Sequence, residues 1–377
     1  MVVALEEDIG VEEIFETNGA KIVVIGVGGG GSNMIAHLIA TGTYKDITLV
    51  AANTDGQALK ASCAKNKIRL GEKITGGRGA GMKPEIGKQA AQECVEAIKE
   101  MVTGADLVFI SAGLGGGTGT GAAPVIAQIA KDSGALTVSV VTKPFNFEGK
   151  KRAKIAEEGL KELKAVSDSI VVIPNEKLVG FIDKNAGMQD SFKEVNNVLA
   201  KAVNGISSMI INYGENDINV DFADLKTVMN HRGLALMGIG EATGVNAATV
   251  AVENAIASPL FDNVSINGAM GVLINFECHP DYPLLEITNS VSIVESMADD
   301  DADIIFGKCT SANMPTDHVK VTIVATGFEK PTENKEEKVE SAPSFSKGTL
   351  EGLRLASSGD YGDVDLDVPA YLRHQKD

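Results

Sequence analysis

Positive charge is scarce in this chain, which has 34 Lys and Arg against 51 Asp and Glu and a formal net charge of −17. Sequence-independent binding to nucleic acid and direct attraction to anionic lipid both need a surface excess of cations, so neither is expected. Any polyanion held here needs a local device. Cysteine is also sparse: Cys63, Cys94, Cys278 and Cys309 are scattered, with no C-x-x-C spacing. That pattern suggests neither a zinc site nor a disulfide framework and points to a reducing compartment. No apolar run approaches the ~18 residues that a membrane-spanning helix needs, so direct membrane insertion is not expected. Residues 1–18 are acidic and lack the charged-then-apolar order of a secretory signal. Together these absences predict a soluble cytoplasmic protein, and 377 residues exceed one ordinary domain of ~100 to 200, so two domains are expected.

What the chain does have is glycine in the right places. The run Gly115-Gly116-Gly117-Thr118-Gly119-Thr120-Gly121 follows an apolar strand-like stretch at 107–112 and precedes a helix-like stretch expected to begin near Ala122. Glycines let backbone N–H groups converge on one concavity at a helix N-terminus, where the dipole also favours negative charge. The threonines add hydroxyl donors without bulk. No lysine follows, so the run is not a Walker loop, and backbone donors, the dipole and a divalent ion must offset the phosphate charge. A flexible loop is the plain alternative, made less apt by the flanking strand and helix.

Short β-rich runs at 21–26, 48–53, 107–112, 135–142 and 169–174 alternate with helical segments. Near-continuous apolar strands alternating with helices imply an α/β fold with a parallel sheet covered on both faces, and ligands at the carboxyl ends of the strands. From Met188 onward, Phe192, Val195, Leu199, Ala202, Val203, Ile206, Met209 and Ile210 recur at spacings of three and four. That spacing predicts one long amphipathic helix able to join two domains. Strands expected at 271–277 and 319–328 belong to a second, smaller α+β domain. Beyond residue 329 the composition turns to Lys, Glu, Ser, Pro and Gly, which reads as a disordered linker. The ending DVDLDVPAYLRHQKD restores apolar residues and is either a docking peptide or a plain terminus.

Other motifs leave alternatives open. The segment Gly26-Val27-Gly28-Gly29-Gly30-Gly31 fits G-x-G-x-x-G, but the second strand ends Ala51-Ala52-Asn53 and lacks the acidic residue that a dinucleotide's ribose wants. Two glycine loops after two strands fit a nucleoside triphosphate at least as well as NAD. Glu148 and Arg152, four apart, form either a surface ion pair or a ribose and phosphate contact. Asp224 reads as the N-cap of a helix starting at Leu225, yet Asp221 and Asp224 are also carboxylates suited to polarising an attacking water.

Taken in order, the glycine run, GVGGGGSN, NTDGQAL, GAAPVIAQIAK, VVTKPFNFEGKKR, VDFADLKTVM, MGIGEATG and DVPAYLR resemble the tubulin/FtsZ family, and within it the bacterial FtsZ GTPases of cell division. The resemblance covers almost the whole chain. It implies a tubulin/FtsZ-type GTP-binding domain at 19–187 after a flexible arm at 1–18, and a central connecting helix at 188–212. A C-terminal domain carrying the hydrolysis-activating loop follows at 213–329, then a disordered linker at 330–362 and a docking peptide at 363–377. The cofactors implied are GTP and GDP, with Mg²⁺ held mainly through phosphates and water.

By the same resemblance, Gly29, Gly30, Gly31, Ser32 and Asn33, with Gly115, Gly116, Gly117, Thr118, Gly119 and Thr120, would surround the phosphates. Glu148 and Arg152 would contact ribose and phosphate, Asn175 and Asn196 would hydrogen-bond guanine, and Phe192 would lie against its ring. Asn219, Asp221 and Asp224 would activate hydrolysis in the neighbouring subunit's site, making the protein its own partner in a head-to-tail filament that forms the midcell septal ring. Segment 367–373, bounded by Asp367 and Arg373, would bind membrane-linked division adaptors. An NAD-dependent oxidoreductase and a nucleotide-binding scaffold that does not hydrolyse are the alternatives. Two departures stand out: Met82-Lys83 where the family commonly has Gly-Asn, and Met270 where Arg is usual. Lys83 either supplies part of the missing positive charge or is a solvated side chain, the commoner state for lysine.

Overall fold

The computed structural model describes residues 19–42, 46–178, 187–211, 218, 220–231, 233–258, 266 and 268–328. The expectations for the N-terminal arm, Asn219, the linker and the docking peptide lie outside the described residues.

The apolar runs of the first half become strands β1 (Ile22–Val27), β2 (Ile47–Asn53), β3 (Asn66–Arg69), β4 (Leu107–Gly113), β5 (Leu136–Lys143) and β6 (Ser169–Pro174). They pair in parallel in the order β3-β2-β1-β4-β5-β6. Side chains alternate between the faces of a strand, so each run supplies two cores. Ile22 and Val24 of β1, with Leu107 and Phe109 of β4, pack on one side; Val23, Ile25, Val108 and Ile110 pack on the other.

Helices cover both faces, as a buried parallel sheet requires. They are α1 (Gly28–Thr41), α2 (Gly56–Ala61), α3 (Glu72–Thr75), α4 (Pro84–Glu93), α5 (Val95–Val102), α6 (Thr118–Asp132), α7 (Lys150–Val166), α8 (Asn175–Leu178) and α9 (Met188–Ile211). The predicted long helix is α9, whose 24 residues span about 36 Å at 1.5 Å each. Its apolar stripe, Val195, Leu199, Ala202, Val203, Ile206, Met209 and Ile210, joins the core that holds Met34, Ile35 and Leu38 of α1.

Beyond α9 come α10 (Phe222–Met229), β7 (Gly233–Thr243), α11 (Ala247–Ile256), β8 (Gly271–Cys278), α12 (Leu284–Glu295), β9 (Asp303–Thr310) and β10 (His318–Thr326). Strand β7 pairs with β6 in parallel at its start and with β10 antiparallel along its length. The sheet therefore continues through β7-β10-β8-β9 into the second half. There α11 and α12 cover one face with Val252, Ile287 and Val294, while α10 contributes Leu225, Val228 and Met229 to the core that contains α9.

Two local expectations change. Helix α6 begins at Thr118, not near Ala122, so the second half of the glycine run is its first turn. The reason is packing: a Cβ on Gly121 would stand 1.9 Å from Pro84 O, and one on Gly87 would stand 2.2 Å from Gly117 O. Glycine disfavours a helix locally, but here it lets α4 and α6 meet backbone to backbone. Likewise α10 begins at Phe222, and Asp221, not Asp224, is its N-cap. The Asp221 side chain accepts from a backbone N–H in the first turn, satisfying one of the helix's orphan donors.

Candidate functional site

The carboxyl ends of β1, β4, β5 and β6 open into a cleft of about 420 Å³, walled on the far side by α9. Two helix N-termini point into it. Helix α1 starts at Gly28 directly after β1, and α6 starts at Thr118 after the turn that follows β4; neither has a side-chain cap. Their first N–H groups therefore have no intrahelical partner, and with the two dipoles they form an anion site.

Gly29, Gly30 and Asn33 from α1 line the cleft beside Gly116, Gly117, Thr118 and Gly119. Among the described residues nothing lies within 4 Å of where a Cβ on Gly29 or Gly116 would stand, so a ligand can approach that backbone directly. The second loop is held in place by side chains and by its neighbour. Gly115 N donates to Thr120 Oγ1 at 2.8 Å, Thr118 and Thr54 share a hydroxyl hydrogen bond of 2.6 Å, and Gly117 N donates to Gly81 O at 2.8 Å.

Gly31, Ser32, Gly115 and Thr120 are not on the lining. A Cβ on Gly31 would stand 2.4 Å from Ser111 O, which makes that position a helix-to-strand contact. Thr120 braces the turn through Gly115. Ser32 Oγ is buried and has no hydrogen-bond partner among the described residues.

At the side of the cleft the sequence FNFE forms a short 3₁₀ turn in which Glu148 is tightly committed. Its Oε1 accepts from Phe145 N at 3.0 Å and its Oε2 receives the guanidinium of Arg152. This pair couples the turn to the first residues of α7. Phe145 stacks on Phe147 with ring centroids 5.1 Å apart and meets Phe192 of α9 edge-on at 5.5 Å. Phe192, Val195, Asn196 and Leu199 present successive turns of α9 to the cleft, facing Asn175 at the end of β6. Asn175 is 5% exposed, and its Oδ1 has no partner among the described residues. A buried amide oxygen without a donor suits a flat, hydrogen-bonding ligand edge.

The structure thus brings together Gly29, Gly30, Asn33, Gly116, Gly117, Thr118, Gly119, Glu148, Arg152, Asn175, Phe192 and Asn196. Asp221 and Asp224 do not line the cleft. They sit at the start of α10, which packs on β8, β9 and β10, beyond β7 in the sheet order. Sequence reasoning missed Gly81, Gly113, Leu114, Thr142, Pro144, Val195 and Leu199 on the wall. Thr142 and Pro144 end β5, where the strand-end rule points, and Val195 and Leu199 follow Phe192 at helical spacing. For Gly81 there was no signal. Among the described residues no group of three or more His, Cys, Asp or Glu side chains gathers as a metal site, and no helix is long and apolar enough to cross a membrane.

The family model "Tubulin/FtsZ family, GTPase domain" matches residues 21–183, and "FtsZ family, C-terminal domain" matches residues 233–329. The chain is 49% identical over 373 residues to the cell division protein FtsZ of one Helicobacter pylori strain, covering 97% of this chain and 96% of that protein. It is 50% identical to the protein of a second strain, with the same coverage. The chain belongs to the FtsZ family.

Among solved structures, the empty FtsZ dimer of M. jannaschii superposes with a TM-score of 0.77 at 47% identity, over 83% of this chain and 90% of that one. CetZ2 from Haloferax volcanii shares the fold at a TM-score of 0.69 and 20% identity, over 82% of this chain and 94% of that one. The GTPase-domain match spans both glycine loops and the Glu148–Arg152 turn, so this FtsZ-family chain is a GTPase that binds GTP and GDP. An NAD-dependent oxidoreductase is not favoured. Asp55, the acidic residue nearest the end of β2, is engaged as the N-cap of α2, accepting from Gln57 N and Ala58 N. Asp221 and Asp224 fall between the two matched segments.

Proposed function

We propose that the chain hydrolyses GTP at a site divided between two copies stacked head to tail, and that the resulting filaments build and turn over the septal ring of a dividing cell. One observation carries the divided site. Among the described residues Glu148 is the sole carboxylate on the wall of the cleft, and both of its oxygens are engaged by Phe145 N and Arg152. Among the described residues no acid on that wall is free to take a proton from water, whereas Asp221 and Asp224 lie elsewhere on the molecule. A second copy can bring them, with Asn219, to the mouth of the cleft. A heterologous contact of this kind does not close on itself and so propagates as a filament.

Each residue on the wall then has a task. The amides at Gly29, Gly30, Gly116 and Gly119, with Thr118, hold the phosphates in line, while Gly117, whose N–H is given to Gly81 O, lends its surface to the same wall. Arg152, fixed by Glu148, reaches the ribose and phosphate region. Asn175 and Asn196 read the guanine edge while Phe192 packs on its face. Asp221 and Asp224 of the neighbour polarise the attacking water, which converts a bound triphosphate into a reactive one only at a subunit contact. Mg²⁺, held mainly by phosphates and water, would draw charge from the phosphoryl oxygens. The segment between Asp367 and Arg373 docks on membrane-linked adaptor proteins and so places the cytoplasmic filament at midcell. Removing residues 367–377 spares polymerisation and loses that binding; unchanged adaptor affinity refutes the docking role.

The deciding experiment follows phosphate release from GTP and from ATP across a range of protein concentrations, with light scattering on the same samples. Specific activity with GTP rises above a threshold concentration as scattering appears. Turnover per molecule that is independent of concentration places the whole site in one subunit. No turnover at all favours a nucleotide-binding scaffold, in which Asp221 serves only as the α10 cap.

A further inference from the structure

Of the two threonines in the glycine run, Thr118 lines the cleft and Thr120 does not. The Thr118 hydroxyl is tied to a distant part of the chain, since its Oγ1 lies 2.6 Å from Oγ1 of Thr54, 64 residues earlier. Thr54 directly follows β2, is fully buried and is not on the cleft wall. Its carbonyl accepts from Gly79 N at 3.2 Å and from Thr75 Oγ1 at 3.3 Å, so its backbone is fixed too. The hydroxyl therefore reaches the start of α6 from a rigid seat.

Burial decides which of the two hydroxyls donates. A threonine hydroxyl has one proton to give and two lone pairs to offer. Among the described residues the Thr54 hydroxyl meets no acceptor besides Thr118 Oγ1, and at 0% exposure it meets no bulk water. Donation in the other direction would leave the Thr54 proton buried without an acceptor, a state that folded proteins avoid. Thr54 therefore donates. Thr118, already an acceptor, keeps its own proton for the cleft, and a hydroxyl that accepts one hydrogen bond gives the next more strongly.

We propose that Thr54 is a positioning residue for the phosphate site: by donating to Thr118 Oγ1 it holds that side chain in one rotamer and commits the Thr118 proton to a phosphate oxygen of the bound nucleotide. The inference rests on the reading of this cleft as a nucleotide site. Without Thr54 the Thr118 hydroxyl is free to turn to other acceptors, and it must be ordered again each time a nucleotide binds.

The test is the affinity of the full chain for GTP and for GDP, by calorimetric titration at fixed Mg²⁺ and below the polymerisation threshold. It compares wild type, Thr54→Val, Thr54→Ser, Thr118→Val and the variant carrying both valines. Thr54→Val keeps the shape and loses the hydroxyl, and should weaken both nucleotides about fivefold, the size of one ordinary hydrogen bond. Thr54→Ser restores the donor and should stay within about twofold of wild type. In the Thr118→Val background the Thr54→Val change should cost no further affinity because its target is gone, a coupling that a packing role does not produce. Should Thr54→Val not fold, Thr54→Ala is read in the same cycle. Wild-type affinity in Thr54→Val overturns the proposal, and so does a loss that persists undiminished in the Thr118→Val background, which marks Thr54 as structural support alone. If the wild type binds neither nucleotide, the reading of the cleft itself fails and takes the proposal with it.

Discussion

Asp221 and Asp224 are joined by a hydrogen bond of 2.7 Å from the Asp224 backbone N–H to Asp221 Oδ1. The bond caps α10 and fixes the spacing of the two acids at the start of one helical turn. In the divided site proposed above, Asp221 combines this structural duty with the proposed catalytic one, while Asp224 carries no capping duty.

Substitution can separate those duties. Asp224→Ala should abolish GTP turnover and leave nucleotide affinity unchanged, because Asp224 is not on the cleft wall. Asp221→Ala should lose turnover and about 1 kcal/mol of stability as the cap disappears, whereas Asp221→Ser should keep the stability and still lose turnover. Steady-state phosphate release, nucleotide titration and urea melts read all three. Retained turnover in Asp224→Ala removes that residue from the mechanism.

The close approach of α4 and α6 makes a second prediction. Gly121→Ala places a methyl group 1.9 Å from Pro84 O, against backbone that has little room to move. Overpacking of this kind costs about 1 to 3 kcal/mol, and the strain falls next to Gly117 and Thr118. The urea midpoint should drop and GTP affinity should weaken with it. A variant as stable as the wild type would show that the two helices can part freely.

Glu148 is more a scaffold than a ligand, because both oxygens are engaged inside the protein. Glu148→Ala should release the Phe145–Glu148 turn and leave Arg152 without its partner, weakening GTP and GDP by a similar factor of about ten. Glu148→Gln keeps an acceptor for Phe145 N and should lose less. Equal losses for the two variants would point to the charge and not to the turn.

Tyr282 predicts an alkaline limit to stability in the second half of the chain. Its hydroxyl accepts from Ala248 N at 3.0 Å and donates to Glu286 at 2.5 Å, joining the starts of α11 and α12. Burial, followed by the bond to Glu286, pushes its pKa from 10.0 up to about 12. Below pH 10 the phenol is neutral folded and unfolded alike and contributes no pH dependence. Between pH 10 and 12 the unfolded chain gives up the proton while the folded chain keeps it, so stability falls across that window, by on the order of 2 kcal/mol. Tyr282→Phe should cost about 1 kcal/mol at neutral pH and remove this fall, so that the two stability curves converge above pH 10 and cross before pH 12. A constant gap from pH 8 to 12 would contradict the shift.

How far the sequence could be read depended on the range of the interactions involved. Strands β1, β4, β5 and β6 were legible because each is a short, nearly continuous apolar run whose alternate residues feed two cores. Helix α9 was legible because its stripe repeats every three or four residues. Strand β7 was not, because glycines at 233, 238 and 240 interrupt it, and its place comes from pairing with β6 and β10. A Cβ on Gly240 would meet Ala251 O at 1.9 Å, so that glycine answers to α11, not to the strand. The start of α6 was misjudged for the same kind of reason.

By itself the sequence determined the elements, the two glycine loops at strand ends and the family resemblance, since all of these are carried by neighbouring residues and local chemistry. The tertiary structure alone decided which side chains share a cleft. The strand order puts the ends of β1 and β4 side by side and sets Asn175, the residue directly after β6, across from Asn196 of α9. It also decided that Glu148 is spent on Arg152 and the turn, and that Asp221 and Asp224 stand apart from the wall. Contacts between residues far apart in the chain follow from how the sheet and helices pack, and no local periodicity encodes that packing.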